Sequence, residues 1–392
     1  MALLLGLLSA IGPFAIDRYL PALPSIGAGF GVGAGQVQLS LTAFFASFSV
    51  AQLVFGPAAD RWGRRVPMLA GLAVFALGSV GCALASDIGA LVAFRFVQGL
   101  GAAATAVVPR AVVRDLHTGH EAARLTALLM LVFSVSPILA PLAGSGLTSL
   151  AGWRSVFWAV LAAAVAGLAA VVRLLPETLP QAGQARGSLL DIARAYRQLL
   201  GDRHFMALSC IGGLGVASFF AYLANSSFVL ISHYGLTPAR YSLAFGLNAA
   251  SFIGTSQFAA GAGRRFGLKP VVRRSAAGCA LVMCAPLGLW ILGLGSLPLL
   301  MGMLFLGYGF LGFVIPLSAV LTMDDQGAAA GTAAALMGTL HLGLGAVAIG
   351  LVSPFADAGA QPMLAAIAAS AVGAWLLAEG TLRPRAGVRR AA

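Results

Sequence analysis

The sequence predicts an all-α integral membrane protein with 12 transmembrane helices in two six-helix halves. Three observations predict it. Of 392 residues, 59% are hydrophobic and only 9% are charged, whereas a soluble domain carries about 25% charged residues. The apolar residues fall into twelve runs, each near the roughly 20 residues that a helix needs to cross the hydrocarbon core. The basic residues gather in alternate connections between those runs.

The first six runs lie near 2–24, 37–58, 67–86, 89–112, 124–149 and 155–174. The second six lie near 205–232, 238–261, 271–292, 297–321, 331–353 and 362–381. Lipid offers the backbone no hydrogen-bond partner, so each run is read as a helix. The connections at Ser86–Gly89 and around Gly295 are tight hairpins. A polar stretch then divides the chain into an N-terminal bundle (1–174), a linker (175–204) and a C-terminal bundle (205–392). In the linker, Ser188 is placed to cap a helix, and Leu189, Ile192, Ala193, Tyr196 and Leu199 share one face. Asp191, Arg194 and Arg197 fall elsewhere. An amphipathic surface helix fits this pattern; a disordered tether is the alternative.

Orientation follows from the basic residues. One side receives Arg61, Arg64 and Arg65, then Arg114 and Arg124, then Arg186, Arg194, Arg197 and Arg203. It also receives Arg264, Arg265, Lys269, Arg273 and Arg274, and the tail adds Arg383, Arg385, Arg389 and Arg390. The other side has little beyond Arg154 and Arg240. The positive-inside rule makes the first side cytoplasmic, with both termini inside.

Composition also excludes. The net charge of +12 does not point to nucleic acid, because the basic residues sit in short loops without stacking aromatics. Cys82, Cys210, Cys279 and Cys284 all lie inside apolar runs and show no metal-ligand spacing, so they read as bystander thiols. No zinc-binding HExxH, phosphate loop, paired intramembrane acids or nucleophile elbow occurs, so neither an enzyme nor an ATP-driven pump is expected. No cofactor and no metal are expected. The apolar run begins at once with no basic segment before it, so no cleaved leader is expected.

Several polar residues break the apolar background. The connection GPAADRWGRR holds Gly56, Asp60, Gly63 and Arg64. A charged, glycine-bearing turn belongs at the membrane face. Gly56 would allow close helix approach, Asp60 would accept from nearby helix N-termini, and Arg64 would pair with Asp115. A solvated loop of topological value only is the alternative. In the fourth run, Arg95 and Gln98 share a helical face. An Arg inside a span is expensive and is read as functional, unless it snorkels to the outer interface. Gly99, Ala102, Ala103 and Ala106 permit tight packing below it. In the fifth run, Ser136, Ala140 and Gly144 form a small-residue stripe, which lets helices pack closely. Pro137 and Pro141 remove backbone donors there. Asp17, in the first run, is the acid placed well inside the membrane. Burial disfavours the charged form of a lone carboxylate, so Asp17 is a proton-carrier candidate. Its neighbour Arg18 could neutralise it, although adjacent residues point about 100° apart on a helix; a cap at the outer interface is the alternative to the proton role.

Thr42, Phe45, Ser49 and Gln52 recur at helical spacing down the second run and suggest a cavity face, with Phe14, Tyr19, Phe44, Phe48 and Gln98 nearby. Tyr222, Asn225, Ser226, Asn248 and His341 are polar residues within later runs, and lipid would penalise them unless they face the bundle centre. A mainly apolar pocket with few polar anchors suits uncharged or lipophilic small molecules. His341 could be a second titrating group, but a buried histidine satisfied by a neighbouring helix is the plainer reading. The halves also echo each other: GAGRRFGLKPVVRR stands in half two where GPAADRWGRRVPML stands in half one, without the Asp. Such duplication marks transporters that work by alternating access.

The Gly56–Arg65 run resembles the loop between the second and third helices of major facilitator superfamily transporters. The run from Arg95 to Gly99 resembles that family's RxxQG motif. APLAGS (Ala140 to Ser145) resembles its antiporter motif GPxxGG, with Ala140 and Ser145 departing from it. DRYLPALP (Asp17 to Pro24) closely resembles the DMYLPALP run of the Bcr/CflA drug-resistance subfamily, with Arg18 in place of Met. RAVVRD (Arg110 to Asp115), GWRSVFW (Gly152 to Trp158) and LPETL (Leu175 to Leu179) resemble the same subfamily. The resemblance implies drug:proton antiport with no cofactor, driven by the proton gradient, with small-molecule substrate, protons and membrane lipid as partners and a monomer as the default. It implies that Asp17 and Arg95 serve proton coupling. It also implies that the Asp60, Arg64 and Asp115 cluster latches the outward-facing state. The drugs expected are of chloramphenicol or bicyclomycin type. Export of a natural metabolite, an amino acid or sugar, on the same scaffold is the alternative.

Overall fold

The structure, a computed structural model, describes residues 2–116, 119–179, 189–324, 326 and 330–383, with side chains for all of these but 2, 114, 119–124, 126–134, 189–192 and 330. Ser188, Arg186, Arg385, Arg389 and Arg390 lie outside the described residues, as do the side chains of Arg114, Arg124, Leu189, Asp191 and Ile192.

The first span departs from a single helix over 2–24. It is α1 (Ala2–Asp17), a 3-10 turn over Leu20–Ala22 and then α2 (Leu23–Phe30). Pro21 and Pro24 supply no backbone N–H to an α-helical ladder here, which makes the break cheap. Then follow α3 (Ala34–Trp62), α4 (Arg65–Leu84), α5 (Ile88–Leu116), α6 (Gly119–Ala151) and α7 (Arg154–Leu174). Half two comprises α9 (Arg203–Ser227, continued by a π turn over Phe228–His233), α10 (Pro238–Phe266) and α11 (Leu268–Ile291). It ends with α12 (Leu297–Met323), α13 (Ala330–Val352) and α14 (Gln361–Leu382). Among the described residues, ten helical segments are long and apolar enough to cross a membrane. Helices α6 and α10, of 33 and 29 residues, are long enough to complete twelve at about 1.5 Å per residue.

Between the halves lies α8 (Leu189–Gly201). Its Leu199 is buried against Phe205, Ala333 and Leu336, with Tyr196 alongside. Ala193, assigned to the apolar face, is exposed. Helix α8 therefore leans on α9 and α13 of half two.

Within half one, α5 is the central post, packed on both α3 and α4. Close approach rests on glycine: Gly99 sits against the Phe44 carbonyl of α3, and Gly71 of α4 against Ala104 of α5. Ala102 and Ala103 are fully buried beside them. Gly56 is a correction to the expected close approach, since nothing lies within 4 Å of where its side chain would begin. Its part of α3 faces open space, and the close approach to α5 is made instead at Gly99 and Gly71.

Candidate functional site

The break in the first span positions Asp17. It is the last residue of α1, is 5% exposed, and accepts a 2.8 Å hydrogen bond from Ser136 Oγ of α6. The small-residue stripe makes this approach possible. Ala140 is fully buried, and Gly144 lies directly under the Arg18 carbonyl, where a side chain would collide. Helix α6 runs unbroken through Pro137 and Pro141; the Ser134 side chain of the same run lies outside the described residues. Asp17 thus sits against the fifth span and within electrostatic reach of Tyr241 on α10, in the other half.

Arg95 does not snorkel, for it is fully buried. Its guanidinium lies 4.5 Å from the Tyr19 ring and 4.3 Å from the Phe44 ring, and Nη1 donates to Gln98 Oε1 at 2.5 Å. Gln98 in turn donates to Ser79, and the Tyr19 hydroxyl shares a 2.8 Å hydrogen bond with Ser40. Nε and Nη2 of Arg95 have no protein partner. Among the described residues no ion pair joins Asp17 to Arg95 or to Arg18. The expected partnership of Asp17 and Arg95 is therefore not a contact; the Tyr19 ring takes the Arg95 charge instead. Arg18 turns toward the half-buried Phe14 ring.

The stripe assigned to a cavity face is a seam between the halves. Phe45 meets Phe220 at 4.1 Å between ring centres. Ser49 Oγ donates to the Thr339 carbonyl at 2.8 Å, and Thr339 Oγ1 donates back to the Ser49 carbonyl at 3.0 Å. Gln52 lies against Gly338, and Thr42 lies near Gly350 with its hydroxyl on the Gln38 carbonyl. Phe45 is covered by α9 and Ser49 and Gln52 by α13 rather than facing an open cavity, and Gly338, Gly343 and Gly350 let α13 come close. The seam continues toward the end away from Arg64. There Gln38 Nε2 donates to Asn225 Oδ1 at 2.8 Å, and Ser353 Oγ donates to the Gly35 carbonyl at 2.7 Å. Finally Asp357, of half two, accepts the Ala34 N–H of half one at 3.0 Å. A carboxylate at the first turn of α3 suits the positive end of its dipole. From Gly35 to Gln52 the seam spans about 26 Å at helical rise. Gln38 and Asp357 were not singled out from sequence. Gln38 falls on the same helical face as Thr42, Phe45 and Ser49, which could have found it; nothing local marks Asp357.

Half two contributes neutral polar groups. Tyr222 stacks on Phe245 (5.6 Å, 8°), packs on Tyr308, and its hydroxyl accepts from Asn248 at 2.9 Å. Asn225 also donates to the Ala221 carbonyl, and Ser226 bonds to Tyr241. Asn248 Oδ1, Tyr308 Oη and Gln38 Oε1 are buried without a protein partner. Such orphaned groups are costly unless a ligand or water completes them. His341 lies apart from them. It packs on Gly212 and Gly213 of α9 and hydrogen-bonds to the Ser209 backbone, while its Nε2 is unpartnered.

At the Arg64 end, the charged turn closes on itself. Arg64 is 2% exposed and grips Asp115 with two hydrogen bonds, Nε at 2.6 Å and Nη2 at 3.1 Å, while Nη1 reaches Asp60 at 2.6 Å. Burial works against this guanidinium's charge, but the bonds to Asp115 and Asp60 outweigh it and hold the group more firmly protonated than usual. Glu177, just past α7, accepts the Arg64 and Arg65 N–H groups at 2.8 and 3.2 Å. It also accepts Thr178 N–H and Leu179 N–H at 3.0 Å. Desolvation pushes the Glu177 carboxyl up, yet these four donors win and hold it below the usual range. Gly63, at φ +82°, leaves room for that carboxylate. Glu177 belongs to LPETL, but its spacing alone does not reveal this partner.

The described residues contain no cluster of three or more His, Cys, Asp or Glu side chains that could hold a metal. Comparison with known proteins fits this architecture. An uncharacterized MFS-type transporter, YdgK, of Bacillus subtilis is 36% identical over 99% of this chain and 96% of its own length. A bicyclomycin resistance protein homolog of Haemophilus influenzae is 29% identical, covering 94% of this chain and 93% of its own. Multidrug resistance protein D of Escherichia coli is 32% identical, covering 89% and 87%. Among solved structures, the human organic anion transporter MFSD10 superposes with TM-score 0.68 at 23% identity, over 96% of this chain and 98% of its own. The D-xylose–proton symporter superposes with TM-score 0.70 at 16% identity, over 98% of each chain. At those identities the structures speak for the fold alone. The family model of the Major Facilitator Superfamily matches residues 3–350, and the chain belongs to that family of transporters.

Proposed function

We propose that this protein exports small uncharged or lipophilic drugs in exchange for protons, by alternating access across the bacterial inner membrane. The observation that carries the reading is Asp17: a buried carboxylate with one hydroxyl partner, at a helix break facing the other half. A buried carboxylate without a cationic partner favours protonation. The names of the relatives, bicyclomycin resistance protein homolog and multidrug resistance protein D, support a drug as cargo. The orphaned oxygens of Asn248 and Tyr308, beside the Tyr222 ring, support a neutral ligand that donates hydrogen bonds.

In this reading the Arg64 end is cytoplasmic, both termini lie inside, and α8 tethers the halves on that face. Asp17 is deprotonated when drug loads from inside. Opening of the α3–α13 seam at the outer end exposes Asp17, releases drug and admits a proton. Return to the inward state discharges the proton. Arg95 acts on this cycle through Tyr19, and the Arg64 cluster sets the conformational balance. The protein works as a monomer and takes its energy from the proton gradient without a cofactor.

The test is proton flux in inverted membrane vesicles. Addition of chloramphenicol or bicyclomycin should dissipate a preset pH gradient in vesicles with the protein and not in vesicles with Asp17→Asn. Dissipation by amino acids or sugars alone would make this a metabolite exporter. Full drug-dependent flux in Asp17→Asn would remove Asp17 as the carrier.

A further inference from the structure

Helices α10 and α11 both pack along α12 but only lightly on each other, and α11 has α12 and α14 as its principal neighbours. Near the Gly267 turn this leaves an open groove of about 240 Å³, lined by Ala262, Phe266, Val271, Arg274, Ser275 and Phe313. In half one the corresponding place is closed. Aligning the two turn glycines sets Ser275 where Gly71 stands, and Gly71 is pressed against Ala104.

Arg274 is the unusual member of the lining. It is exposed on the same helical face as Leu281, which is 76% exposed. That face belongs to lipid, where a fixed cation needs an anion or an interface. Its neighbour Arg273 has one, pairing with Glu379 at 3.3 Å. Among the described residues Arg274 is in no ion pair. Arg264, Arg265 and Lys269 flank the Gly267 turn in sequence and are exposed, with Arg265 over the ring of the groove residue Phe266 at 5.2 Å. Cation at the rim, a hydroxyl beside it and aromatic walls leading along the span match an anionic amphiphile. The chain's own tail is no rival occupant, since Arg385, Arg389 and Arg390 would be repelled.

We infer that this groove is a binding site for an anionic phospholipid. The phosphate sits at Arg274 and Ser275, and an acyl chain lies along Phe266, Val271 and Phe313. Basic pockets between helices at a membrane face hold anionic headgroups in this way, with about 1 kcal/mol from each Arg near the surface.

The experiment is native mass spectrometry of the full-length protein in detergent, titrated with phosphatidylglycerol or phosphatidylcholine. Phosphatidylglycerol should be retained in preference to phosphatidylcholine, and Arg274→Gln should lower its retention about fivefold, the weight of one interfacial Arg. Arg240→Gln, which removes a basic residue at the opposite end, should leave retention unchanged. Phe313→Trp keeps every charge and fills the groove floor, so it should also lower retention if Arg274→Gln does not yield folded protein. Equal retention of phosphatidylglycerol by the parent and the folded groove variants would overturn the site, as would equal retention of the two lipids. Inorganic phosphate should not raise the melting temperature; a rise matching that from phosphatidylglycerol would mean a free-phosphate site instead.

Discussion

Gly63 and Gly267 each close the turn between the second and third helices of a half, and each has φ +82°. An L side chain is strained there, so glycine serves both repeats for the same reason. Around that shared backbone the chemistry diverges. In half one the next residue is Arg64, buried and paired with Asp115 and Asp60. In half two it is Leu268, packed over Gly263, and Arg264 stands where Asp60 stood. The second half finds its ion pairs elsewhere, from Arg273 and Arg383 to Glu379. The interiors differ in the same sense. Half one buries Asp17 and Arg95, while half two buries Tyr222, Asn225, Asn248 and Tyr308. One repeat holds charge and the other holds neutral polarity. The comparison teaches that the two halves share the turn while their buried side chains diverge, charged in one and neutral in the other.

The largest effect that would break this division is loss of the buried acid. Asp17→Asn should bring drug-dependent proton flux to background while keeping the fold, since the Asn oxygen can still accept from Ser136. Flux that persists in this variant, with Asn248→Leu abolishing it instead, would put coupling in half two.

The next effect compares the two turns directly. Arg64→Ala leaves Asp115 without its buried cation, and loss of one partner of a buried pair costs about 3–5 kcal/mol. Leu268→Ala at the matching position should cost about 1–2 kcal/mol, because Leu268 is only half-buried. Thermal melting of the purified variants checks the order; equal losses would mean that the Arg64 network does no more than fill space.

A smaller effect lies across the seam. Asp357→Ala removes the cap that half two places on α3, and caps contribute about 1 kcal/mol. That should shift the population toward opening at that end about fivefold, read as a longer distance between spin labels on the two halves. An unchanged distance distribution would separate Asp357 from the closure.

Glu177→Gln should have the smallest effect, since this carboxylate is exposed and solvent screens it. Its pKa in the folded protein is depressed, so its contribution is fully present above the ordinary glutamate range and is lost as pH falls through the folded value. Hydrogen exchange at Arg64 and Arg65 should therefore speed up with acid, relative to the intrinsic rate, in the parent and be flat with pH in Glu177→Gln. A parent without this acid limb would mean that Glu177 does not hold the turn.

Much of the architecture was legible because lipid is a demanding solvent. Runs of apolar residues show where helices cross, and a residue such as Asp17 stands out because its cost in hydrocarbon is plain from its type alone. The small-residue stripe on α6 was legible too, as helical spacing puts Ser136, Ala140 and Gly144 on one face. What each stripe would touch was not legible. The Thr42 to Gln52 face read as a cavity wall, yet in this structure it is sealed by α13 through Ser49 and Thr339. Gly56 read as a contact glycine and faces open space.

The sequence by itself determined the spans, the charged turn, the repeat and the acid within the first span. Each of these depends on the transfer free energy or backbone preference of a segment taken alone. Only the tertiary structure decided that Ser136 meets Asp17, that Arg95 lies on Tyr19 rather than on Asp17, and that Glu177 and Asp357 hold turns far from them in the chain. Those pairings depend on which helix faces come together, and lipid tails, being as apolar as the helices, do not choose among faces. Shape and hydrogen bonding across the interfaces make that choice, and neither is written in any one segment.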